Sequence, residues 1–150
     1  MQKVLVTGAT GFIGIEVSRQ LAEHGMRPRL MVRRPVRGLM LRSLDAEIMQ
    51  ADIRSPESLR RILSGIDTVI HLGARAAFEP YPRLYPSIVK GSLNLMQAAI
   101  EAHVQNFVYG GSLLAYGDTA KPLDQDTKPS PASAPTGTAY SCSERPTWRS

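Results

Sequence analysis

Three glycines spaced three residues apart, Gly8, Gly11 and Gly14, are the residues near the start of the chain best suited to binding a charged ligand. They lie between an apolar run at 3–7 and an amphipathic run at 12–24, a pattern that predicts a strand, a tight turn and a helix. Gly8 would allow the sharp turn, Gly11 would let the backbone approach a ligand without an intervening Cβ, and Gly14 would let the helix pack close to the sheet. An empty tight turn is the alternative interpretation.

The first turn of the predicted helix would supply the hydrogen-bond donors of this site. The main-chain amides of Phe12 and Ile13 would point out of the helix N-terminus, where the helix dipole favours negative charge. A strand, a glycine turn, a helix and a second strand about 20 residues later form a dinucleotide-binding βαβ unit. We therefore predict that the turn binds the diphosphate of NAD or NADP.

Two arginines follow the second predicted strand, where the choice between these two cofactors is made. An NAD-binding protein presents Asp or Glu there to the ribose 2′-hydroxyl, whereas this chain has Arg33 and Arg34 with no acid within reach. A guanidinium would instead bind the 2′-phosphate of NADP through charge-assisted hydrogen bonds. We expect Arg33 to make the main contact and Arg34 or Arg37 the second. NADP is favoured, NAD stays the alternative, and arginines that merely coat an exposed loop are the simpler interpretation.

The positive charge of the chain is concentrated rather than spread. The formal net charge is +5, 14 of the 18 basic residues are Arg, and six of these fall within residues 27–42. Because no aromatic residue lies in that stretch, it lacks the stacking surface typical of single-stranded nucleic-acid binding. We expect a local anion site and no nucleic-acid partner; a solvated basic surface is the alternative.

Composition favours a cytoplasmic protein. The hydrophobic content of 43% and charged content of 21% are ordinary for a globular domain. No stretch approaches the ~20 apolar residues of a membrane helix, so we expect no membrane partner, and the first apolar run is too short for a signal peptide. The single cysteine, Cys142, excludes an internal disulfide and is consistent with a reducing compartment.

Alternating apolar and amphipathic segments define the elements that must position these residues. Apolar runs rich in β-branched residues predict strands at 3–7, 28–32, 46–50, 67–72 and 105–110. Amphipathic runs predict helices at 12–24, 56–64 and 83–103. Pro86 lies early in the third, so its start could be a turn later. This α/β order predicts a Rossmann-type, doubly wound parallel sheet of about five strands in the order 3-2-1-4-5. Residues 1–117 would form this domain, and the proline- and serine-rich residues 118–150 a surface loop and an irregular tail.

The glycine turn also carries a family resemblance. The string T-G-A-T-G-F-I-G at 7–14 resembles the extended short-chain dehydrogenase/reductase superfamily, also called the NAD-dependent epimerase/dehydratase family. The resemblance can be followed from residue 3 to about residue 140. It implies an NAD(P)-dependent epimerase, dehydratase or reductase that transfers a hydride at a hydroxyl or carbonyl group of a nucleotide-sugar-like small molecule.

Two further segments resemble the family. In A-D-I at 51–53, the resemblance implies that Asp52 accepts a hydrogen bond from the adenine amino group and that Ile53 packs on the ring. The alternative is that Asp52 only begins the next helix.

The second segment is H-L-G-A at 71–74, where relatives have H-L-A-A. Small residues are needed there because the cofactor crosses the sheet edge, so Leu72, Gly73 and Ala74 are expected beside it. His71 is interpreted as a core histidine rather than a proton carrier, and Asn94 as a structural residue bonded to a neighbouring loop.

A serine and a tyrosine match the catalytic positions of the family. Its chemistry uses Ser or Thr after the fifth strand and a Tyr-x-x-x-Lys pair, in which the lysine lowers the tyrosine pKa and binds the ribose. Ser112 matches the first position, and Tyr140 is the tyrosine at a plausible distance. Glu144 stands where the lysine is expected, and an acid there would disfavour the phenolate. Tyr140 therefore has a catalytic interpretation and a loop-residue interpretation of equal standing.

The end of the chain departs from the family. Residues 141–150 lack an apolar stripe, and family members continue for another chain length with a substrate-binding region. We expect a chain truncated before that region, with a shifted reading frame as one explanation and with catalysis impaired or absent. A non-catalytic NADP-binding sensor or accessory subunit is the alternative function, and a fragment without stable function is a third. The resemblance also allows a homodimer, since relatives often pair through the helices after strands four and five.

Overall fold

Five parallel strands form the centre of the protein. The computed structural model describes residues 2–73, 81–112, 116 and 124–128. The strands are β1 (Val4–Thr7), β2 (Arg29–Val32), β3 (Glu47–Gln50), β4 (Thr68–His71) and β5 (Asn106–Tyr109). They pair in parallel in the order β3-β2-β1-β4-β5, which confirms the predicted sheet. The division into a domain at 1–117 and a tail at 118–150 stays a prediction, because most of the second range lies outside the described residues.

In the part of the chain that the structure describes, four helices connect the strands. They are α1 (Phe12–Glu23), α2 (Pro35–Gly38), α3 (Pro56–Leu63) and α4 (Tyr81–Glu101), and a 3₁₀ turn at Leu39–Leu41 follows α2. Three of the helices correspond to predicted ones, whereas α2 was not predicted. None of the helices within the described ranges is both long and apolar enough to cross a membrane.

The helix boundaries follow from local chemistry. α1 ends before Gly25, whose positive φ of 73° suits glycine. At the start of α3, Ser55 Oγ accepts a hydrogen bond from the Ser58 amide at 3.3 Å and Pro56 occupies the first turn. The expectation that α4 could start a turn after residue 83 was wrong, since Pro86 lies inside a helix that already begins at Tyr81. A proline there removes one main-chain donor without ending the helix.

The helices cover the two faces of the sheet, as in a doubly wound fold. On one face, α3 and α4 pack over a core that includes Leu5, Leu59, Ile62, Val69 and Leu95. On the other face, the core includes Val4, Val6, Leu30, Val32 and Leu41. Neighbouring residues of β1 thus contribute to opposite cores, because side chains alternate along a strand. Because apolar cores lie on both faces, the position of the sheet and of its carboxyl edge is fixed. The candidate site lies at that edge.

Candidate cofactor-binding site

A cleft of about 270 Å³ opens at the carboxyl edge of the sheet. It lies where β1 has β2 on one side and β4 on the other, so the connections leave β1 in opposite directions. Ligands of open α/β sheets bind at such a switch point. Its lining residues are Thr7, Gly8, Thr10, Gly11, Met31, Arg33, Arg34, Arg37, Ile53, Leu72, Gly73 and Ser87.

The glycine turn forms one wall of the cleft, and Gly8 is required there for two reasons. Its φ of +71° is a left-handed conformation, and a Cβ on it would come within 2.6 Å of the Leu72 carbonyl carbon. The turn is closed by the Gly11 amide, which donates to the Gly8 carbonyl at 2.9 Å. The turn therefore lies directly against the chain that leaves β4.

Gly14 differs in detail from its predicted role. The sequence suggested close packing between the helix and the sheet. In the structure, a Cβ on Gly14 would overlap the Gly8 carbonyl and lie 2.9 Å from the Ala9 Cα. The contact that excludes a side chain is thus between the helix and the turn itself.

α1 begins beside the cleft, which the preceding residue Gly11 lines. Gly11 is the N-cap and supplies no side-chain acceptor to the helix, so the first amides keep their hydrogen-bonding capacity for another partner. The side chains of Phe12 and Ile13 are 95% and 62% exposed and do not line the cleft. The arrangement leaves the main-chain amides as the groups that could bind an anion.

Three arginines form the opposite wall. Arg33, Arg34 and Arg37 all line the cleft, and none of the lining residues that the structure describes carries a carboxylate. Arg34 is the N-cap of α2, and the buried Gly38 lets that helix approach β3, because a Cβ on it would lie 3.2 Å from Ile48 Cγ2. The structure thus places the arginines predicted for the 2′-phosphate together on one short helix and the strand end before it.

Of the two residues assigned to the adenine, only Ile53 lines the cleft. The Asp52 carboxylate accepts hydrogen bonds from the Arg54 amide, Nε and Nη2 at 2.9, 3.0 and 2.6 Å. Hydrogen bonds from Arg54 hold the pKa of Asp52 below its usual range. The Asp52 carbonyl also accepts from the Ser55 amide at 2.9 Å, so Asp52 lies just before Ser55, the N-cap of α3, and both interpretations of Asp52 stay predictions.

His71 is buried below the cleft, with 2% of its surface exposed. Its Nδ1 lies 2.5 Å from Thr7 Oγ1 and its Nε2 lies 2.9 Å from Ser92 Oγ. Burial lowers the pKa of His71 to about 4. The ring is therefore neutral at physiological pH, which agrees with its interpretation as a core histidine. Asn94 Nδ2 donates to the Ile53 carbonyl at 3.5 Å, the contact with a neighbouring loop that the sequence suggested.

The family model for the NAD dependent epimerase/dehydratase family matches residues 4–146 of the chain. The chain belongs to this family. A UDP-glucose 4-epimerase of Neisseria meningitidis serogroup C is 34% identical, over 97% of this chain and 47% of that protein. The chain therefore spans about half the length of such curated epimerase/dehydratase relatives.

Solved structures of the same fold agree. The crystal structure of gox2253 has a TM-score of 0.82 and 33% identity, covering 94% of this chain and 45% of that one. MoeE5, solved in complex with UDP-glucose and NAD, has a TM-score of 0.77 and 30% identity, covering 93% and 46%. The chain thus shares its fold with a protein that was solved with UDP-glucose and NAD bound.

The remaining family positions lie partly outside the described residues and partly away from the cleft. Ala74, Tyr140 and Glu144 lie outside the described residues. Ser112 lies three residues beyond β5 and is exposed, but it is not among the residues that line the cleft. The structure thus brings the predicted glycines, arginines, Ile53, Leu72 and Gly73 together, and leaves the two catalytic assignments as predictions.

Four lining residues were not assigned to the site from the sequence: Thr7, Thr10, Met31 and Ser87. Thr7 and Thr10 belong to the quoted glycine string, whose side chains were given no role. Met31 lies on β2 and Ser87 on α4, and the sequence offers no signal for either. For Ser87 the reason is that the rotation of a helix about its axis is fixed only by packing.

Proposed function

We propose that this chain is the NADP-binding part of an enzyme that transfers a hydride at a hydroxyl or carbonyl group of a nucleotide-sugar-like substrate. The observation that supports NADP is the position of Arg33, Arg34 and Arg37 in the same cleft as the glycine turn. Charge-assisted hydrogen bonds from a guanidinium are well suited to a phosphate. The nucleotide-sugar class is supported by the similarity to a UDP-glucose 4-epimerase and to a protein solved with UDP-glucose.

The residues present fit such a cofactor. The amides of Phe12 and Ile13, at the positive end of α1, would bind the diphosphate, and the Cβ-free surface of Gly11 would let it approach. Arg33 and Arg34 would bind the 2′-phosphate. When bound, the nicotinamide ring supplies the hydride chemistry.

A second set of residues would contact the adenine and the part of the cofactor that crosses the sheet edge. Ile53 would pack against the adenine, and Asp52 would accept from its amino group once Arg54 moves aside. The Arg54 side chain of that ion pair is 59% exposed, so solvent screens the pair and little free energy is needed to displace it. Leu72, Gly73 and Ala74 would line the path of the cofactor across the sheet.

The preference for NADP can be tested by titrating the chain with NADPH and with NADH and following the cofactor fluorescence. We expect NADPH to bind more tightly. Arg33→Gln should weaken NADPH by about tenfold to a hundredfold, the equivalent of one charge-assisted bond, and should leave NADH nearly unchanged.

Arg42→Gln is the matched control, because Arg42 comes from the same arginine-rich stretch and removes the same charge, yet does not line the cleft. NADPH binding should be unchanged in that variant. Equal affinity for both cofactors, or an equal loss in the Arg33 and Arg42 variants, would refute the assignment of Arg33.

Catalysis by this chain is proposed to be impaired. Ser112 would orient the substrate oxygen and Tyr140 would exchange its proton, but Glu144 occupies the position at which the family has lysine. A negative charge there opposes both the phenolate and the cofactor phosphates. Any NADPH-dependent turnover of nucleotide sugars should therefore be faster in the Glu144→Lys variant than in the original chain.

A second candidate function rests on the same glutamate. A non-catalytic NADP-binding sensor or accessory subunit would keep the cleft and dispense with the lysine. Tight NADPH binding together with no turnover in both the original chain and the Glu144→Lys variant would favour this candidate over the impaired enzyme.

A further inference from the structure

Three segments that are distant in the sequence meet at the ring of His71. Thr7 ends β1, His71 ends β4, and Ser92 lies on α4. The ring nitrogens bond to the two hydroxyl groups over 64 and 21 residues of sequence separation. His71 thus connects the strand that leads into the glycine turn with the helix that covers the sheet.

The direction of these hydrogen bonds follows from Ser92. Its hydroxyl donates to the Ile88 carbonyl at 2.5 Å, so towards His71 it accepts, and Nε2 must carry the ring proton. Neutral imidazole has only one N–H, and Nδ1 is then an acceptor for the Thr7 hydroxyl. The chain of bonds therefore has a fixed order: Thr7 donates to His71, His71 donates to Ser92, and Ser92 donates to Ile88.

The surroundings keep the ring in this form. Phe107 and Tyr109 of β5 lie against it, with ring centroids 6.2 and 5.4 Å from that of His71. Among the described partners of the ring on β1, β5 and α4, which are Thr7, Phe107, Tyr109 and Ser92, only Tyr109 has a titratable side chain. Loss of solvent is the cause of the lowered His71 pKa, so the ring stays an acceptor at Nδ1 over the physiological range.

The acceptor nitrogen acts at the base of the glycine turn. Thr7 precedes Gly8 directly and itself lines the cleft. Leu72 and Gly73, which follow His71, are the residues that a Cβ on Gly8 would strike. A Cβ on Gly73 would in turn lie 3.1 Å from Thr7 Oγ1 and 3.5 Å from His71 Cε1. The bond between Thr7 and His71 thus joins the two chain segments whose close approach shapes the turn.

We propose that His71 is a positioning residue for the cofactor: its Nδ1, by accepting from Thr7, fixes the start of the glycine turn, whereas its Nε2 only anchors α4. This inference rests on the proposed function, because it assigns the turn to the diphosphate. It separates two roles of one side chain, and each role belongs to one ring nitrogen.

The two roles can be separated by amide substitutions. In His71→Asn, the shorter side chain places an oxygen near the position of Nδ1 and keeps the acceptor for Thr7. In His71→Gln, the longer side chain reaches Ser92 and gives up the acceptor. We expect both variants to lose thermal stability, but NADPH affinity per folded molecule should fall at least about tenfold only in His71→Gln, as expected for a displaced binding group. Equal affinities in the two variants would overturn the proposal.

A pair of substitutions at Thr7 gives an independent measurement should the His71 variants not fold. Thr7→Ser keeps the hydroxyl donor and Thr7→Val removes it at nearly equal volume. We expect Thr7→Val to weaken NADPH binding about as much as His71→Gln does. The double variant with both substitutions should bind NADPH no more weakly than either single variant, because both substitutions remove the same bond. Additive losses would contradict a shared action.

Hydrogen exchange of the Gly11 amide, measured without cofactor, separates this inference from the proposed function. That amide closes the turn by donating to Gly8. It should exchange faster in Thr7→Val and His71→Gln than in Thr7→Ser and His71→Asn. Unchanged exchange would refute the positioning role, whereas altered exchange in a chain that binds neither NADPH nor NADH would refute only the proposed function.

Discussion

At the scale of single residues, Gly8 and Gly25 share a backbone conformation but not their surroundings. Their φ angles are +71° and +73°. A Cβ on Gly8 would meet the main chain of Leu72 and Gly73 at 2.6–2.7 Å, whereas a Cβ on Gly25 would meet nothing within 4 Å. The pair therefore separates the cost of the conformation from the cost of the contact.

Alanine at the two positions should give different losses of stability. Gly25→Ala should lower the free energy of unfolding by about 1 kcal/mol, the strain of a left-handed residue with a side chain. Gly8→Ala should lower it by at least about 3 kcal/mol, because main chain must also move. Urea denaturation followed by circular dichroism measures both, and equal losses would show that the turn yields to a methyl group.

The glycines and arginines of the site could be predicted from the sequence because each acts within a short segment. A turn followed by a helix needs glycine at fixed spacings, and a basic residue after the second strand marks the 2′-position. The bonds of His71 to Thr7 and Ser92 could not be predicted. They join residues 64 and 21 positions apart, and only the sheet order brings them together.

At the scale of elements, the central strands were predictable because burial on both faces leaves continuous apolar runs, as in β1 with all four of its residues buried. All five occur where expected, for example β4 at Thr68–His71 against a predicted 67–72. The helix α2 was not predictable, since its four residues at Pro35–Gly38 are little more than one helical turn. Gly38 of this helix is buried beside Ile48 of β3, since a Cβ on it would lie 3.2 Å from Ile48 Cγ2, and no local pattern reveals that approach.

The start of α3 offers a direct measurement of a local signal. Ser55 Oγ accepts from the Ser58 amide, so Ser55→Ala should lower the free energy of unfolding by about 1 kcal/mol. Ser64→Ala, at the C-terminal end of the same helix, makes the same chemical change at an exposed position. It should cost less than about 0.5 kcal/mol. A chemical-denaturation series compares the two, and a larger loss at Ser64 would mean that α3 is held by its end rather than its cap.

At the scale of the whole molecule, the buried hydrogen bonds of His71 with Thr7 and Ser92 support both the fold and the cleft. The lining residues run from Thr7 to Ser87, so the candidate site is built from residues of β1 and β2 and from the segments that follow β1, β2, β3 and β4. The chain spans about half the length of its curated relatives. The substrate binding and catalysis proposed above would also involve parts of the family fold outside this cleft. A change at the carboxyl edge should therefore lower the stability of the sheet, and it should also lower occupancy of the cleft where it displaces the glycine turn.

Acid should reveal this dependence through His71. Its pKa is about 4 in the folded protein against an ordinary value of 6.5, so between these values the unfolded chain binds the proton and the folded chain does not. The free energy of unfolding should be fully retained above pH 6.5 and fall as the pH is lowered towards 4. The total is about 3 kcal/mol for a shift of this size.

The His71→Asn variant isolates that contribution, because it lacks the imidazole and keeps the carboxylates that titrate at lower pH. Urea denaturation at pH 7, 6, 5 and 4.5 should give a stability that declines more steeply in the original chain than in the variant. The difference between the two curves should grow steadily below pH 6.5. Parallel curves would mean that His71 is protonated as easily in the folded protein as in the unfolded chain, and that the ring is not held as the neutral acceptor on which the Thr7 bond depends.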